Sequence, residues 1–285
     1  RPGLQIARER IASLDDLEIR RQVGLIDASF EARGLPRGSE RAQVEAAPSP
    51  SRTSDRDLVR EVERITERIK SMATRGRDDT ATWLTIDVIE GSLAYTVHPM
   101  GPTLYNGVAG VALFLAAASV ALQDRDARCL ALGAVRSLRA EINASPRFAP
   151  GTCIGGIMGT PSAAYALAWM GHILGDAPLI DDAVSIVRRC DAAVIRSDTH
   201  YDLSSGAAGL ILVLLTVHAM RPWPGALEQA RLCGEHLLAA RVGTPASWPT
   251  PTGRRLAGPL CDLLYRGGDR VLACAGEQAS PALCQ

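Results

Sequence analysis

A surplus of charge, a long apolar run and a secretion signal are all missing from this 285-residue sequence. Its 31 basic residues are balanced by 31 acidic ones, so the formal net charge is zero. Nucleic acids and anionic membranes select proteins with a positive surplus, so the balance argues against both as main partners. No apolar run reaches the ~18 residues of a membrane span, and no basic start leads into an apolar signal core. The sequence therefore favours a cytoplasmic protein without a membrane span.

Closely paired cysteines are missing too. The seven cysteines form no Cys-x-x-Cys pair, and an odd number without a signal peptide fits free thiols in a reducing compartment. The last three, Cys261, Cys274 and Cys284, have no histidine near them, because the last histidine is His236. Zinc sites combine cysteine and histidine at short spacing. The sequence therefore predicts no metal site in this tail.

Helical periodicity, interrupted by a stretch rich in proline and serine, divides the chain. Residues 1–31 are predicted to be helical, with Ser13 as a cap. Residues 32–56 are predicted to be a flexible linker at a domain boundary. Residues 57–258 begin with an amphipathic helix capped by Ser54 or Asp55, followed by a short hairpin within 83–97. Residues 259–285 form a divergent tail. The apolar face of the first helix comprises Ile19, Val23, Ile26 and Phe30.

Three segments repeat the pattern Gly-x-x-Gly followed at once by an apolar stretch. Their first glycines are 49 and then 50 residues apart, which indicates one supersecondary unit used three times. Each unit continues with an apolar helix (108–122, 161–174, 207–219) and then an amphipathic one (126–142, 178–195, 225–241). The three segments are Leu104-Tyr105-Asn106-Gly107-Val108-Ala109-Gly110, Ile154-Gly155-Gly156-Ile157-Met158-Gly159 and Asp202-Leu203-Ser204-Ser205-Gly206-Ala207-Ala208-Gly209.

A helix that is apolar on all sides must be buried on all sides. Three buried inner helices beside three half-exposed outer ones predict an all-α fold, as a partial α/α toroid of helical hairpins or a superhelical stack. Glycines let the loops turn tightly and expose backbone N–H groups at the starts of the inner helices. The loops are therefore predicted to meet at one end and form a site. Its glycines are Gly107, Gly110, Gly156, Gly159, Gly206 and Gly209.

The three glycine motifs resemble the cyclase domain of class II lanthipeptide synthetases, the lanthionine synthetase C-like family. The third motif, Tyr201 to Gly209, is the most specific of them. In the first helix, Leu14-Asp15-Asp16-Leu17 is similar to the end of the dehydratase domain that precedes the cyclase in these two-domain enzymes. The resemblance implies that residues 1–31 end a dehydratase-like domain and that 57–258 hold the first three hairpins of the cyclase.

The resemblance also implies a chemistry. Family members dehydrate Ser and Thr of a precursor peptide and add cysteine thiols across the new double bonds, which gives thioether (lanthionine) rings. Their cyclase holds one zinc through two cysteines and a histidine, and zinc makes the peptide thiol a thiolate near neutral pH. The enolate formed by the addition then takes a proton from an acid. Asp202 matches the position of such an acid/base aspartate; its other interpretation is a cap of the helix at 207–219.

After Gly258 the sequence departs from the family. The Ser-His-Gly-like, Trp-Cys-x-Gly and Cys-His-Gly stretches of the later repeats do not follow. We therefore expect a chain truncated before the zinc-binding half, without the zinc ligands and inactive on its own. Its open apolar hairpin faces are expected to promote association.

Two further residues and two other functions complete the analysis. His200 lies two residues before Asp202 and could tune it, or be merely exposed; Tyr105 could line a cavity or serve packing. The chain could instead be a non-catalytic helical-repeat module that binds peptides. A glycan hydrolase needs two carboxylates, whereas the glycine loops offer Asp202 alone, which argues against that class.

Overall fold

The computed structural model describes residues 3–12, 14–34, 54–76, 78–88, 95–144, 148–243 and 247–249. The chain divides into two compact units, Arg1–Met100 and Gly101–Gln285. Most of the predicted linker, the predicted cap Ser13 and the whole tail at 259–285 lie outside the described residues. The bounds predicted for the domains therefore stay predictions.

The first unit has three helices and two small antiparallel sheets among its described residues. Helix α3 begins at the predicted cap, because Ser54 accepts the N–H of Asp57 while the Asp57 carboxylate accepts the N–H of Ser54. This reciprocal capping box satisfies two donors that a helix start leaves open. The elements are α1 (Gly3–Ala12), α2 (Asp16–Gly34), α3 (Asp55–Ser71), β1 (Thr74–Arg75), β2 (Ala81–Thr82), β3 (Leu84–Val88) and β4 (Tyr95–Pro99).

Helix α2 carries the apolar face that the sequence indicates, but that face stays uncovered. The start of the helix is set by Asp15, whose carboxylate accepts the N–H of Glu18 at 2.8 Å. The helix packs mainly against β3 and β4, which cover only part of it. Four apolar residues of the face are about half exposed or more: Ile19, Val23, Ile26 and Phe30.

The hairpin predicted within 83–97 is confirmed. Strands β3 and β4 pair antiparallel, with Ile86 opposite Val97. Just before β3, the buried indole of Trp83 donates its N–H to the carbonyl of Ile69 at 2.8 Å. A buried tryptophan thus fixes the hairpin to the last turn of α3.

The exposed side chains of His98 and Asp87 form a pair across this hairpin. His98 Nδ1 lies 2.8 Å from the Pro99 carbonyl oxygen, and its Nε2 lies 2.7 Å from Asp87 Oδ2. The Pro99 carbonyl raises the pKa of His98, and Asp87 raises it further. Because the folded state favours the protonated ring of His98, its contacts stabilise the hairpin fully below the ordinary histidine pKa of about 6.5. This stabilisation is lost as pH rises through the raised pKa of His98.

We therefore expect the amides of β3 and β4 to become less protected from hydrogen exchange as pH rises through that range, after correction for intrinsic exchange. Asp87→Asn should remove only part of the pH dependence, because the Pro99 carbonyl is the larger cause. Protection that is independent of pH would contradict the pairing.

The second unit consists of helices in its described residues. Three apolar inner helices (α4, α6, α9) each pack against the outer helix that follows (α5, α7, α10), and α6 contacts both α4 and α9. The predicted all-α fold of repeated hairpins is confirmed, whereas closure into a toroid stays a prediction. The helices are α4 (Val108–Ala121), α5 (Arg125–Ala144), α6 (Ser162–Leu174), α7 (Ala177–Val187), α8 (Ala192–Arg196), α9 (Ala207–Met220) and α10 (Pro224–Ala240).

The second outer helix differs from its prediction. The sequence predicts one helix over 178–195, but the chain ends α7 at Val187 and starts α8 at Ala192. Asp191 begins the new helix by accepting the N–H groups of Ala193 and Val194. Gln229 of α10 donates its side-chain N–H to the Cys190 carbonyl oxygen at 2.7 Å. The break therefore gives a turn in which Cys190 is buried and its carbonyl is held by the Gln229 side chain of α10.

The burial of the inner helices also differs in part from the prediction. Helix α6 lies between its two neighbours and is the most enclosed. In α4, Ala117 is exposed and Val120 is 52 % exposed, so the expected burial on all sides is wrong there. Within the described residues α4 has an inner neighbour, α6, on one side only. No helix in the described ranges combines the length and the apolar character that crossing a membrane needs.

Candidate functional site

The three glycine loops meet at one end of the inner helices, as predicted. The second loop donates to the third through main-chain atoms: Gly156 N–H to the Leu203 oxygen at 3.1 Å, and Met158 N–H to the Ser204 oxygen at 2.8 Å. The first loop joins them, because Tyr105 N–H donates to the Ile157 oxygen at 3.2 Å. The three loops therefore form one hydrogen-bonded layer.

Glycine is needed in this layer for close approach of two backbones. A Cβ on Gly209 would lie 2.0 Å from the Leu203 oxygen and 2.2 Å from the Gly156 nitrogen. Gly156 and Gly209 do not have a positive φ, so a left-handed backbone conformation is not the reason that glycine is needed there. A Cβ at each of the other candidate glycines would lie within 2.5 Å of backbone atoms: Gly107, Gly110, Gly159 and Gly206.

The backbone N–H groups at the start of α9 are not exposed, which corrects the sequence interpretation. Gly206 and Gly209 both donate to the carbonyl of Asp202, at 3.0 and 3.3 Å. Ala207 N–H donates to Asp198 Oδ2 at 2.9 Å. These donors have partners inside the loop, because the close glycine contacts fold the loop back onto the helix start.

The carboxylate at the start of α9 belongs to Asp198, and the sequence analysis missed it. The N-cap residue is Gly206, and the interpretation of Asp202 as the cap is wrong. Asp202 instead accepts the N–H of Ser205 through Oδ1 at 2.7 Å and stays half-buried. The only hint of Asp198 in the sequence is an acidic residue four positions before Asp202.

Two histidines and a tyrosine surround Asp198. His200 Nδ1 lies 3.8 Å from Asp198 Oδ1, with the His200 side chain 37 % exposed. His236 of α10 places Nε2 2.9 Å from the Asp198 carbonyl oxygen and stacks on the ring of Tyr201, with ring centroids 5.3 Å apart. His200 is therefore partly exposed and lies beside the buried carboxylate of Asp198. It belongs to the same loop as Asp202.

Tyr105 stands at the surface of the glycine-loop layer. Its residue is 75 % exposed, so the packing interpretation is wrong. Its main chain is nevertheless fixed by the hydrogen bond to Ile157. The aromatic side chain is therefore available to a ligand that approaches the layer.

Cys153 adds a thiol to the same layer. Its sulfur donates to the Ser205 carbonyl oxygen at 3.2 Å. Burial raises the pKa of the Cys153 thiol, and the carboxylates of Asp198 and Asp202 raise it as well, although hydrogen bonds offset part of the effect. Burial likewise raises the pKa of Cys190 and Cys233.

The rate of alkylation should distinguish the exposed from the buried cysteines. Under native conditions at pH 8, we expect iodoacetamide to modify the exposed Cys129 roughly tenfold or more faster than Cys190 and Cys233, because both access and thiolate fraction limit the buried pair. Peptide mapping by mass spectrometry would assign each site. Unfolding in urea should remove the difference; equal rates in the native protein would contradict the burial of these two thiols.

The described residues do not fit a zinc site. Within the described ranges, no group of three His, Cys, Asp or Glu side chains is placed to hold a metal ion. The tail cysteines Cys261, Cys274 and Cys284 lie outside those ranges.

Comparison with known proteins gives one family. The family model described as lanthionine synthetase C-like protein matches residues 98–258, more than half of the chain. The match covers all three glycine loops and the helices α4 to α10. No curated protein matches the chain.

Proposed function

Because the chain belongs to the lanthionine synthetase C-like family, we propose that it is part of a class II lanthipeptide synthetase, which dehydrates Ser and Thr and closes thioether rings in a precursor peptide. In this proposal the second unit binds the dehydrated peptide at the glycine-loop layer. The exposed ring of Tyr105 gives that layer an aromatic contact for a peptide. The cytoplasm would supply both the peptide and the reducing conditions that keep its thiols free.

The observation that carries the proposal is the placement of Asp202. Its half-buried carboxylate lies in a loop that is fixed on one side by the second glycine loop and on the other by Asp198. A general acid must be held rigidly where the proton is needed. The loop layer supplies that rigidity.

The proposed step balances as follows. The sulfur of a peptide cysteine forms a bond to the β-carbon of a dehydroalanine, and the π electrons of the double bond move to give an enolate. Asp202 takes up the proton that the thiol loses and donates it to the α-carbon, so no oxidant or reductant is used.

Zinc would supply activation of the thiol in this family, but the described residues of this chain do not fit a metal. In this proposal Asp202 transfers the proton, Tyr105 contacts the peptide and His200 tunes Asp202. The alternative is a non-catalytic module that binds the peptide through the same loops.

The test uses a two-domain family member with Asn at the position that matches Asp202. The substrate is a pre-dehydrated peptide with one cysteine and one dehydroalanine. Ring closure leaves the mass unchanged, so it is followed as loss of the peptide thiol that N-ethylmaleimide modifies. We expect closure to slow by about a hundredfold or more, because proton transfer by a positioned group contributes about that much. Dehydration of the unmodified precursor by the same variant should be unchanged.

The control replaces the aspartate that matches Asp124. In this chain Asp124 also accepts a backbone N–H, that of Ala127 at the start of α5, but lies outside the glycine loops. That variant should close rings at the normal rate. An unchanged rate of ring closure in the variant with Asn at the Asp202 position would contradict the acid/base role. If that variant also still binds the peptide, the result would favour the non-catalytic binding module.

A further inference from the structure

A buried carboxylate pins the loop that carries Asp202 at both of its ends. Asp198 is 3 % exposed. Before Asp202, its oxygens accept the N–H groups of His200 at 3.2 Å and Tyr201 at 3.1 Å. After Asp202, Oδ2 also accepts the N–H of Ala207 at 2.9 Å. One carboxylate therefore fixes where the loop enters and where it joins α9.

The backbone next to Asp202 is strained. Tyr201 has φ of 62°, a left-handed conformation that a residue with a Cβ rarely adopts. Such a conformation persists only where the surroundings determine it, and it concentrates at functional sites. Here the Asp198 carboxylate holds the Tyr201 N–H, and the His236 ring, itself bonded to the Asp198 carbonyl, stacks on the Tyr201 ring.

We propose that Asp198 is a positioning residue for Asp202: it holds Tyr201 in the left-handed turn and thereby aims the Asp202 carboxylate. This inference rests on the proposed function of Asp202. Asp198 itself is buried and does not face a ligand, so it acts through the loop and not on the substrate.

Neighbouring contacts explain why the turn matters for Asp202. The Asp202 carboxylate is locked by the N–H of Ser205, and the Ser205 carbonyl is held in turn by the thiol of Cys153. The second loop thus fixes the far side of the segment, whereas Asp198 fixes the near side. Releasing the near side lets Tyr201 leave its strained conformation and moves Asp202 with it.

The test follows backbone amides in the full chain by hydrogen exchange and NMR. Asp198→Asn keeps the shape of the side chain but removes its charge and replaces one of the two oxygens that accept the N–H groups of His200, Tyr201 and Ala207 by an NH₂ group. We expect the Ser205 amide, which reports the Asp202 carboxylate, to exchange roughly tenfold faster and its proton to move upfield as its hydrogen bond weakens. Adding Tyr201→Gly should restore most of the protection, because glycine adopts the left-handed turn without strain.

This rescue separates positioning from simple capping of α9. If Asp198 only caps the helix, the Ala207 amide should lose protection while Ser205 keeps it, and that result would overturn the proposal. Failure of glycine to restore Ser205 would overturn it too. Asp124→Asn serves as the matched control and should leave Ser205 unchanged. The measurement needs no ring closure, so its failure is distinguishable from failure of the Asp202 acid/base test.

Discussion

Replacing Gly209 with alanine is expected to lower the free energy of unfolding of the second unit by about 3 kcal/mol. The added Cβ would lie 2.0 Å from the Leu203 oxygen and 2.2 Å from the Gly156 nitrogen. Both are backbone atoms, so no rotamer change can relieve the contact. The second and third loops must separate, with loss of the hydrogen bonds between them.

Urea denaturation followed by circular dichroism would measure the change. Gly101→Ala is the matched control in the same unit, because a Cβ there has no atom within 4 Å and the residue has no positive φ. We expect that control to be within about 0.5 kcal/mol of the parent protein. If Gly209→Ala were equally neutral, the close contact between the two loops would be wrong.

Asp198→Ala is expected to be the second large loss, about 3 kcal/mol. The substitution leaves the N–H groups of His200, Tyr201 and Ala207 without their acceptor. Ala207 is fully buried, so water cannot replace the acceptor there. Removing one partner of a buried hydrogen bond costs more than the bond itself contributes, because the remaining group stays desolvated.

Asp202→Ala provides the comparison in the same loop. It removes one acceptor, that of the Ser205 N–H, from a half-buried position, so about 1 kcal/mol is expected. Thermal unfolding of both variants at equal concentration would measure the difference. A larger loss for Asp202→Ala than for Asp198→Ala would mean that Asp202 supports the start of α9 after all.

The repeat and its helices were predictable because their signals are local. An inner helix such as α9 shows as an unbroken apolar stretch between a glycine pair and a polar break, and its observed start at Ala207 is the predicted one. The meeting of the loops also followed from the repeat, since equal units place equal loops at the same end.

The role of Asp198 was not predictable, because its partners are distant in sequence. Its carboxylate bonds a residue nine positions later, and its carbonyl meets His236 in the next helical hairpin. A capping interaction spans only two or three residues in sequence, so it gives no signal for a carboxylate nine positions before Ala207. Asp202 was considered instead because it matches an aspartate of the family that the sequence resembles. The break after Val187 was missed for a similar reason: apolar periodicity continues through it, and the Gln229 contact that favours it comes from α10.

The joint between the second and third glycine loops is made of main-chain atoms, and this divides the loop positions into two kinds. Gly156 and Gly209 have no room for any side chain. Ile157, Met158 and Ser204 contribute only N–H and C=O groups to the hydrogen bonds between the loops, and every residue except proline at a donor position supplies these groups. Their side chains can therefore be exchanged without breaking these hydrogen bonds, so the surface of the glycine-loop layer can vary in chemistry while its backbone stays fixed.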